Sequence, residues 1–192
     1  MLCNRLIDGF TETGHGDLAE GYAQLIPVRI IAAMLGIAQE RADEFTGWVR
    51  GVLEFGLTDP VARLAARDNV IRFFVEQIAP RRANPTDDLI SELLASEIDA
   101  KPVPDHQVIG TCNLLLMAGV DTTWSSIGAS LWHLAQRPDH LARLELRVAV
   151  RTWLERIPEF ELENPADVRW AGGQVRGPRH APVVFTPGTR LG

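Results

Sequence analysis

A long and nearly uncharged run, residues 108–136, constrains the fold more than any other feature of this sequence. Its only charged side chain is Asp121, and its apolar residues recur at steps of three and four, the period of a helix with one buried face. Thr, Ser, Asn and Gly interrupt the run before it reaches the about 20 mostly apolar residues that a membrane-spanning helix needs. It therefore predicts one long buried helix in a soluble domain, from Asp105 to about Arg137 and about 45 Å long.

Shorter helices are predicted on both sides of this run. Asp59 followed by Pro60 is a typical helix start, and an apolar stripe follows it at helical spacing: Val61, Leu64, Ile71, Phe74, Val75 and Ile78. Pro27 is predicted in the first turn of a helix that Gly36 closes. The helices predicted by such signals span residues 1–10, 17–25, 28–35, 39–55, 60–82, 89–97 and 139–157. After Pro158, prolines and glycines separate β-prone pieces at residues 168–170 and 183–185, which predict a C-terminal hairpin or an extended tail.

The composition narrows the class of protein. A net charge of −6 with a pI near 5.4 argues against a nucleic-acid-binding surface. Only Cys3 and Cys112 are present, which argues against a disulfide framework and favours a reducing cytoplasm, and the first residues do not form a signal peptide. The five histidines show no i, i+4 pair, so no zinc site is predicted from their spacing. Neither a glycine-rich phosphate loop nor a nucleophile elbow occurs.

One face of the long helix is the candidate site. That face carries only small residues after Leu115, and its members are Cys112, Leu115, Gly119, Thr122, Ser126 and Ala129. Small residues on a core helix let a flat group or another backbone approach closely. The lone acid Asp121 either faces solvent or is held in the interior for a purpose, because burying an ionised group is expensive. Cys112 is interpreted as a small buried hydrophobe rather than a ligand.

The segment Ala118-Gly119-Val120-Asp121-Thr122-Thr123 resembles the distal-helix motif of the cytochrome P450 family. Three further regions resemble that family in the same order along the chain: residues 17–37, the Leu-Ala-Arg-Leu-Glu-Leu run at 141–146, and the tail from Pro158 to Phe185. The resemblance implies a mainly α fold, a single partial domain over residues 1–192. Residues 1–140 would run through the distal helix, and residues 141–192 would form the helix that follows the haem-cysteine loop and a short C-terminal β hairpin.

The resemblance also implies an activity and roles for the residues of the motif. The family's reaction is a haem-dependent monooxygenation, here expected on a small apolar substrate, with electrons from a ferredoxin-type redox partner. Asp121 would relay protons and Thr122 would hold bound oxygen. Leu115, Ala118, Gly119 and Thr122 would lie against the haem. No metal ligand is identified in the chain itself, and neither a membrane nor a nucleic acid is expected as a partner.

Several departures from the family pattern argue against that activity in this chain. In the family, the cysteine that ligates the haem iron stands five residues before the Leu-Ala-Arg run, where this sequence has Gln136. A neutral amide cannot supply thiolate donation. The family's Glu-x-x-Arg pair does not occur in this sequence. The sequence passes from the distal helix directly into the post-cysteine helix, so we expect an internal deletion with its junction near His140 and a truncated start.

Three functions remain open at this point. The chain could be a haem-thiolate monooxygenase, a non-catalytic remnant of one (a pseudoenzyme), or a small helical protein that binds an apolar ligand or a partner helix in the groove beside the long helix.

Overall fold

We describe the protein from a computed structural model, which describes residues 2–137, 149–171 and 175–191. The described residues form a mainly α fold with a few short strands. The α-helices are α1 (Leu2–Asp8), α2 (Leu25–Met34), α3 (Ala42–Leu53), α4 (Pro60–Ala83), α5 (Leu89–Ala95), α6 (Asp105–Gln136) and α7 (Ala149–Arg156). A π-helical turn spans Ala19–Ala23, and 3₁₀ turns span Gln39–Arg41, Phe55–Leu57 and Pro165–Asp167. No helix among these residues is both long and apolar enough to cross a bilayer.

The strands are short and antiparallel. They are β1 (His15–Asp17), β2 (Glu97–Ile98), β3 (Lys101–Pro102), β4 (Phe160–Leu162), β5 (Arg169–Trp170), β6 (Pro178–His180) and β7 (Pro182–Phe185). Strand β7 lies between β1 and β4, and the pairs β2–β3 and β5–β6 form separate two-stranded sheets. The predicted C-terminal β structure is present, but the two predicted pieces, β5 and β7, do not pair with each other. Strand β5 pairs with the next strand, β6, and β7 pairs with β4 and with β1 from the other end of the chain.

Helix α6 confirms the main prediction. It begins at Asp105, as expected, and ends at Gln136, one residue before the expected boundary. Asp59 caps α4 as predicted, and its carboxylate accepts hydrogen bonds from the amides of Val61 and Ala62, both at 3.0 Å. The helix expected at residues 17–25 is partly wrong. Asp17 ends strand β1, and its side chain accepts from the amides of Ala19 and Glu20 at the start of the π-helical turn.

Two more predicted helices are corrected by the structure. Helix α2 begins at Leu25, so Pro27 is its third residue; a proline is tolerated there because amides of the first turn have no partner within the helix. On α4, Val61, Leu64 and Val75 of the predicted stripe are exposed. The side chains that α4 buries are Ala66, Val70, Phe73, Phe74, Ile78 and Arg81.

The segment expected at residues 139–157 is described only from Ala149. Residues 138–148, which include the 141–146 run, lie outside the described residues.

The chain divides into two compact units, residues 1–27 with 122–192 and residues 28–121. The core of the first unit surrounds Trp153 of α7. Its indole meets the ring of Tyr22 edge-on with centroids 5.0 Å apart, and Phe10 and Phe160 lie within 6 Å of it. Arg156 of the same helix donates a hydrogen bond to Asp8 of α1 at 2.7 Å. These contacts join α7 to the N-terminal residues of the chain.

The second unit is built on the packing of α3 against α4. Phe45 of α3 meets Phe73 of α4 edge-on, with ring centroids 5.3 Å apart. The helices approach closely at Gly51, where a β-carbon would lie 2.6 Å from the β-carbon of Ala66. Close approach of two helices needs a small residue at the crossing point, and Gly51 provides it.

A buried ion pair joins α4 to α5 in this unit. Arg81 donates to Asp88 at 2.8 Å, and the two side chains are 10% and 2% exposed. The same guanidinium donates to the carbonyls of Leu35 and Gly36, and Asp88 caps α5 by accepting from the amide of Ser91. Burial alone would raise the pKa of Asp88, but hydrogen bonds from Thr86 and Ser91 and the Arg81 guanidinium outweigh it, so the pKa is lowered.

Candidate functional site

The candidate residues occupy about two turns of α6, and the structure separates them by exposure. Ala118 and Thr122 are exposed, Leu115 and Gly119 are half-buried, and Asp121 is 2% exposed. Because residues four apart share one side of a helix, Ala118 and Thr122 lie on one exposed strip, and Asp121 points in a different direction. The solvent-facing alternative for Asp121 is therefore wrong.

The small residues of the motif do not all serve the same surface. A β-carbon at Gly119 would lie 2.8 Å from the terminal methyl of Ile31 on α2, so this glycine makes room for α2 to pack. The exposed strip of α6 consists instead of Thr111, Leu114, Ala118, Thr122 and Ser126. Leu114 is 65% exposed, so its side chain adds apolar surface to this strip.

Serine hydroxyls bond back along this part of the helix. Ser126 Oγ donates to the carbonyl of Thr122, and Ser130 Oγ donates to the carbonyl of Ser126, both at 2.8 Å. Hydroxyls that share a backbone acceptor with the helix ladder loosen it slightly.

Arg179 is a buried cation that the sequence did not single out. It is 6% exposed, its Nη1 donates to Ser125 Oγ at 3.0 Å, and its guanidinium carbon lies 4.2 Å from the ring centroid of Trp124. The loop before it approaches closely, since a β-carbon at Gly177 would lie 2.5 Å from that of Ser125. Hydrogen bonding and a cation–π contact compensate for burying the charge. No short-range pattern could have indicated this, because residues 125 and 179 are far apart in sequence.

Neither cysteine is in a position to act as a thiolate ligand. Both are buried and reduced. Burial raises the pKa of Cys112 to about 11, so near neutral pH this side chain is a thiol, and metals bind the thiolate form. Cys3 is 5% exposed and belongs to the apolar core of the first unit.

Gln136, which stands at the position of the family's haem-ligating cysteine, also cannot replace that cysteine. Gln136 is the last residue of α6, and its amide donates to the carbonyl of Trp132 at 3.2 Å. It stands fourteen residues after Thr122 on the same helix, which is about 21 Å along the axis. If α6 lay over a haem as the resemblance implies, a side chain at the end of the same helix could not reach the opposite face.

Comparison with known proteins identifies the family. The family model described as cytochrome P450 matches residues 61–156, half of the chain. Cytochrome P450 107B1 of Saccharopolyspora erythraea is 32% identical over 144 residues, which cover 75% of this chain and 35% of that protein. The steroid C26-monooxygenase of Mycobacterium tuberculosis H37Rv is 32% identical over 147 residues, 72% of this chain and 36% of that enzyme. The chain thus spans about a third of the length of these relatives.

Solved structures show the same fold. The LnmA cytochrome P450 hydroxylase of Streptomyces atroolivaceus superposes with a TM-score of 0.79 at 20% identity, covering 96% of this chain and 74% of that one. The cytochrome P450 PksS of Bacillus subtilis gives 0.80 at 18% identity, covering 96% and 72%. Together with the family match, these findings place the chain in the cytochrome P450 family, whose cofactor is haem.

Proposed function

We propose that these 192 residues form a cytochrome P450 by descent that does not assemble the family's haem-thiolate centre. The observation that carries the proposal is the position of Gln136 at the end of α6, on the helix that bears Asp121 and Thr122. The buried thiols of Cys3 and Cys112 support it. By the resemblance, Asp121 and Thr122 would supply the distal side of a haem site, but neither cysteine is placed to supply the proximal thiolate, so the residues present do not fit the cofactor as the family binds it.

The family's own reaction is kept as the alternative to this proposal. It would be a haem-dependent hydroxylation of a small apolar substrate, in the cytoplasm, with a ferredoxin-type protein as electron donor. Asp121 would then deliver protons and Thr122 would position oxygen, while Leu115, Ala118 and Gly119 would lie along the porphyrin. This alternative requires a thiolate that Cys112 could supply only after leaving the core and losing its proton.

A haem titration followed by absorbance separates the two. The proposal expects no stoichiometric haem binding, or weak binding through a histidine such as His133 that is lost in His133→Ala. The alternative expects one haem per chain, bound in a way that Cys112→Ala abolishes and Cys3→Ala leaves intact. Saturation at one haem with that cysteine dependence would refute the proposal.

A second candidate is a binding protein for an apolar ligand or a partner helix. The exposure of Leu114, beside the small residues Ala118 and Thr122, favours this over a purely inert remnant. A ligand that binds only the folded state raises the melting temperature in a concentration-dependent manner. We expect a substitution that fills the strip, Ala118→Glu, to remove such a shift without lowering the melting temperature of the free protein, because residue 118 is exposed.

A further inference from the structure

Three potential metal ligands converge in the first unit, away from the candidate site on α6. Asp17 and Glu20 come from the N-terminal part of the chain, and His180 is the last residue of β6. One ligand atom from each lies within 4.8 Å of the other two. His180 Nδ1 is 2.5 Å from Asp17 Oδ2 and 3.7 Å from Glu20 Oε2. We propose that this cluster, the Asp17–Glu20–His180 cluster, is a zinc site.

The carboxylate of Asp17 is held in place for this role. Its Oδ1 accepts from the amides of Ala19 at 2.7 Å and Glu20 at 2.8 Å, and both oxygens accept from the amide of Ala181. These bonds fix the orientation of the side chain and direct Oδ2 at the imidazole. Carboxylates that ligate metals are commonly oriented by hydrogen bonds of this kind.

The spacing of the donor atoms suits a tetrahedral ion. Two ligands about 2.1 Å from zinc at the tetrahedral angle are about 3.4 Å apart, close to the 3.7 Å between His180 and Glu20. The contact between His180 Nδ1 and Asp17 Oδ2 is shorter, although Nδ1 has no hydrogen-bond partner among the described residues, and an ion that enters between these atoms widens it by about 1 Å. His180 and Glu20 are 25% and 57% exposed at their side chains, so solvent reaches the cluster and water can fill the fourth position.

The donor types select the class of metal. An imidazole nitrogen suits zinc and the late transition metals, whereas magnesium and calcium prefer oxygen donors alone. Two carboxylates and a neutral imidazole carry a charge of −2, which one divalent ion neutralises. The ion would join the π-helical turn to β6 and so stabilise the first unit against unfolding. This inference does not depend on the haem question.

Calorimetric titration of the full chain with zinc chloride, under reducing conditions that keep both thiols free, tests the proposal. We expect one zinc per chain and no displacement by a large excess of magnesium. Removing even an outer-sphere partner of a metal typically costs about 10-fold or more in affinity, so Glu20→Gln should weaken binding at least about 10-fold. His180→Asn should weaken it further, because it removes the imidazole nitrogen that zinc prefers. The control His15→Ala, at an exposed residue of β1, should leave the affinity unchanged.

Several results would overturn the zinc site. They are the absence of saturable binding, binding that magnesium displaces, or an affinity that depends on His15 and not on Glu20 and His180. The melting temperature should rise with zinc in the parent chain and in His15→Ala and not in His180→Asn. If His180→Asn melts lower without metal, Glu20→Gln decides the question, because Glu20 is exposed and its replacement leaves the fold intact.

Discussion

The buried ion pair between Arg81 and Asp88 should be the most sensitive electrostatic contact of the second unit. The substitution Asp88→Asn keeps the α5 cap, since asparagine caps helices about as well as aspartate, and removes only the charge. Arg81 is then left buried without its counter-ion, which typically costs about 3–5 kcal/mol. Because the asparagine oxygen can still accept from Arg81, we expect about 3 kcal/mol, a large part of the about 5–15 kcal/mol that stabilises a domain.

The neighbouring residue of α4 provides a matched control. Arg82 pairs with Asp105, and these side chains are 46% and 53% exposed. An exposed pair of this kind contributes only about 0–1 kcal/mol, so Asp105→Asn should change stability little. Both variants place an asparagine opposite an arginine of α4, and they differ mainly in burial.

Urea unfolding followed by tryptophan fluorescence measures both effects, since Trp48 lies beside Phe73 in the second unit and contributes to the signal. With a slope of about 1–3 kcal/mol per M, a loss of 3 kcal/mol lowers the midpoint by about 1–3 M. Asp88→Asn should cost much less when Arg81 is already methionine, because no buried cation is then left unpaired. Equal midpoint shifts for Asp88→Asn and Asp105→Asn would refute the reasoning.

Three further predictions concern glycines, pH and thiol reactivity. Gly51→Ala should destabilise the protein by about 1–3 kcal/mol through overpacking at the helix crossing. Gly47→Ala, one turn earlier with nothing within 4 Å of its β-carbon, should stabilise it by about 0.5–1 kcal/mol; urea midpoints that move in the same direction would contradict this. Because the pKa of Asp88 is lowered on folding, its contribution to stability is present above the ordinary aspartate pKa of about 3.9. It should be lost as the pH falls through the folded value, and urea midpoints from pH 7 to 3 should show a decline that is smaller in Asp88→Asn. Cys112 should react with iodoacetamide at pH 8 far more slowly in the folded protein than in urea, since its pKa is about 11 and it is 1% exposed; equal rates would contradict its burial.

Local signals in the sequence predicted the helices whose ends they mark. Helix α6 followed from the long uncharged run, and the start of α4 followed from Asp59 and Pro60, because a cap acts through amides two and three residues away. The partial cytochrome P450 fold followed from the resemblance at the 118–123 motif. None of these inferences needed knowledge of what each element packs against.

Tertiary contacts determined the features of the fold that local sequence signals do not predict. Helix α4 carries apolar residues on more than one side, and its buried side is selected by Phe45 and Gly51 of α3. Strand β1 has only three residues and pairs with β7 from the other end of the chain, a contact with no local signal. The segment 17–25 was predicted as one helix because its apolar spacing is helical, but the carboxylate of Asp17 ends the strand and starts a π-helical turn instead.

The candidate residues lie on α6, a helix that the sequence predicted, but their arrangement around it was not predicted. Gly119 makes room for the packing of α2, and Asp121 is buried whereas Thr122 is exposed. Arg179 contacts Trp124 and Ser125, and His180 contacts Asp17. In both cases the residues are more than fifty positions apart in the sequence. Such pairs depend on the path of the whole chain and leave no periodic trace in the sequence.

The reduced, carbon-monoxide-bound absorption spectrum of the chain with excess haem tests the central claim most directly. The position of the main band reports whether a thiolate ligates the iron. We predict no thiolate band, because both thiols are buried and Gln136 takes the ligand's place at the end of α6. A stoichiometric thiolate band that disappears in Cys112→Ala would contradict the account, because it would show that this chain completes the family's metal centre by another route.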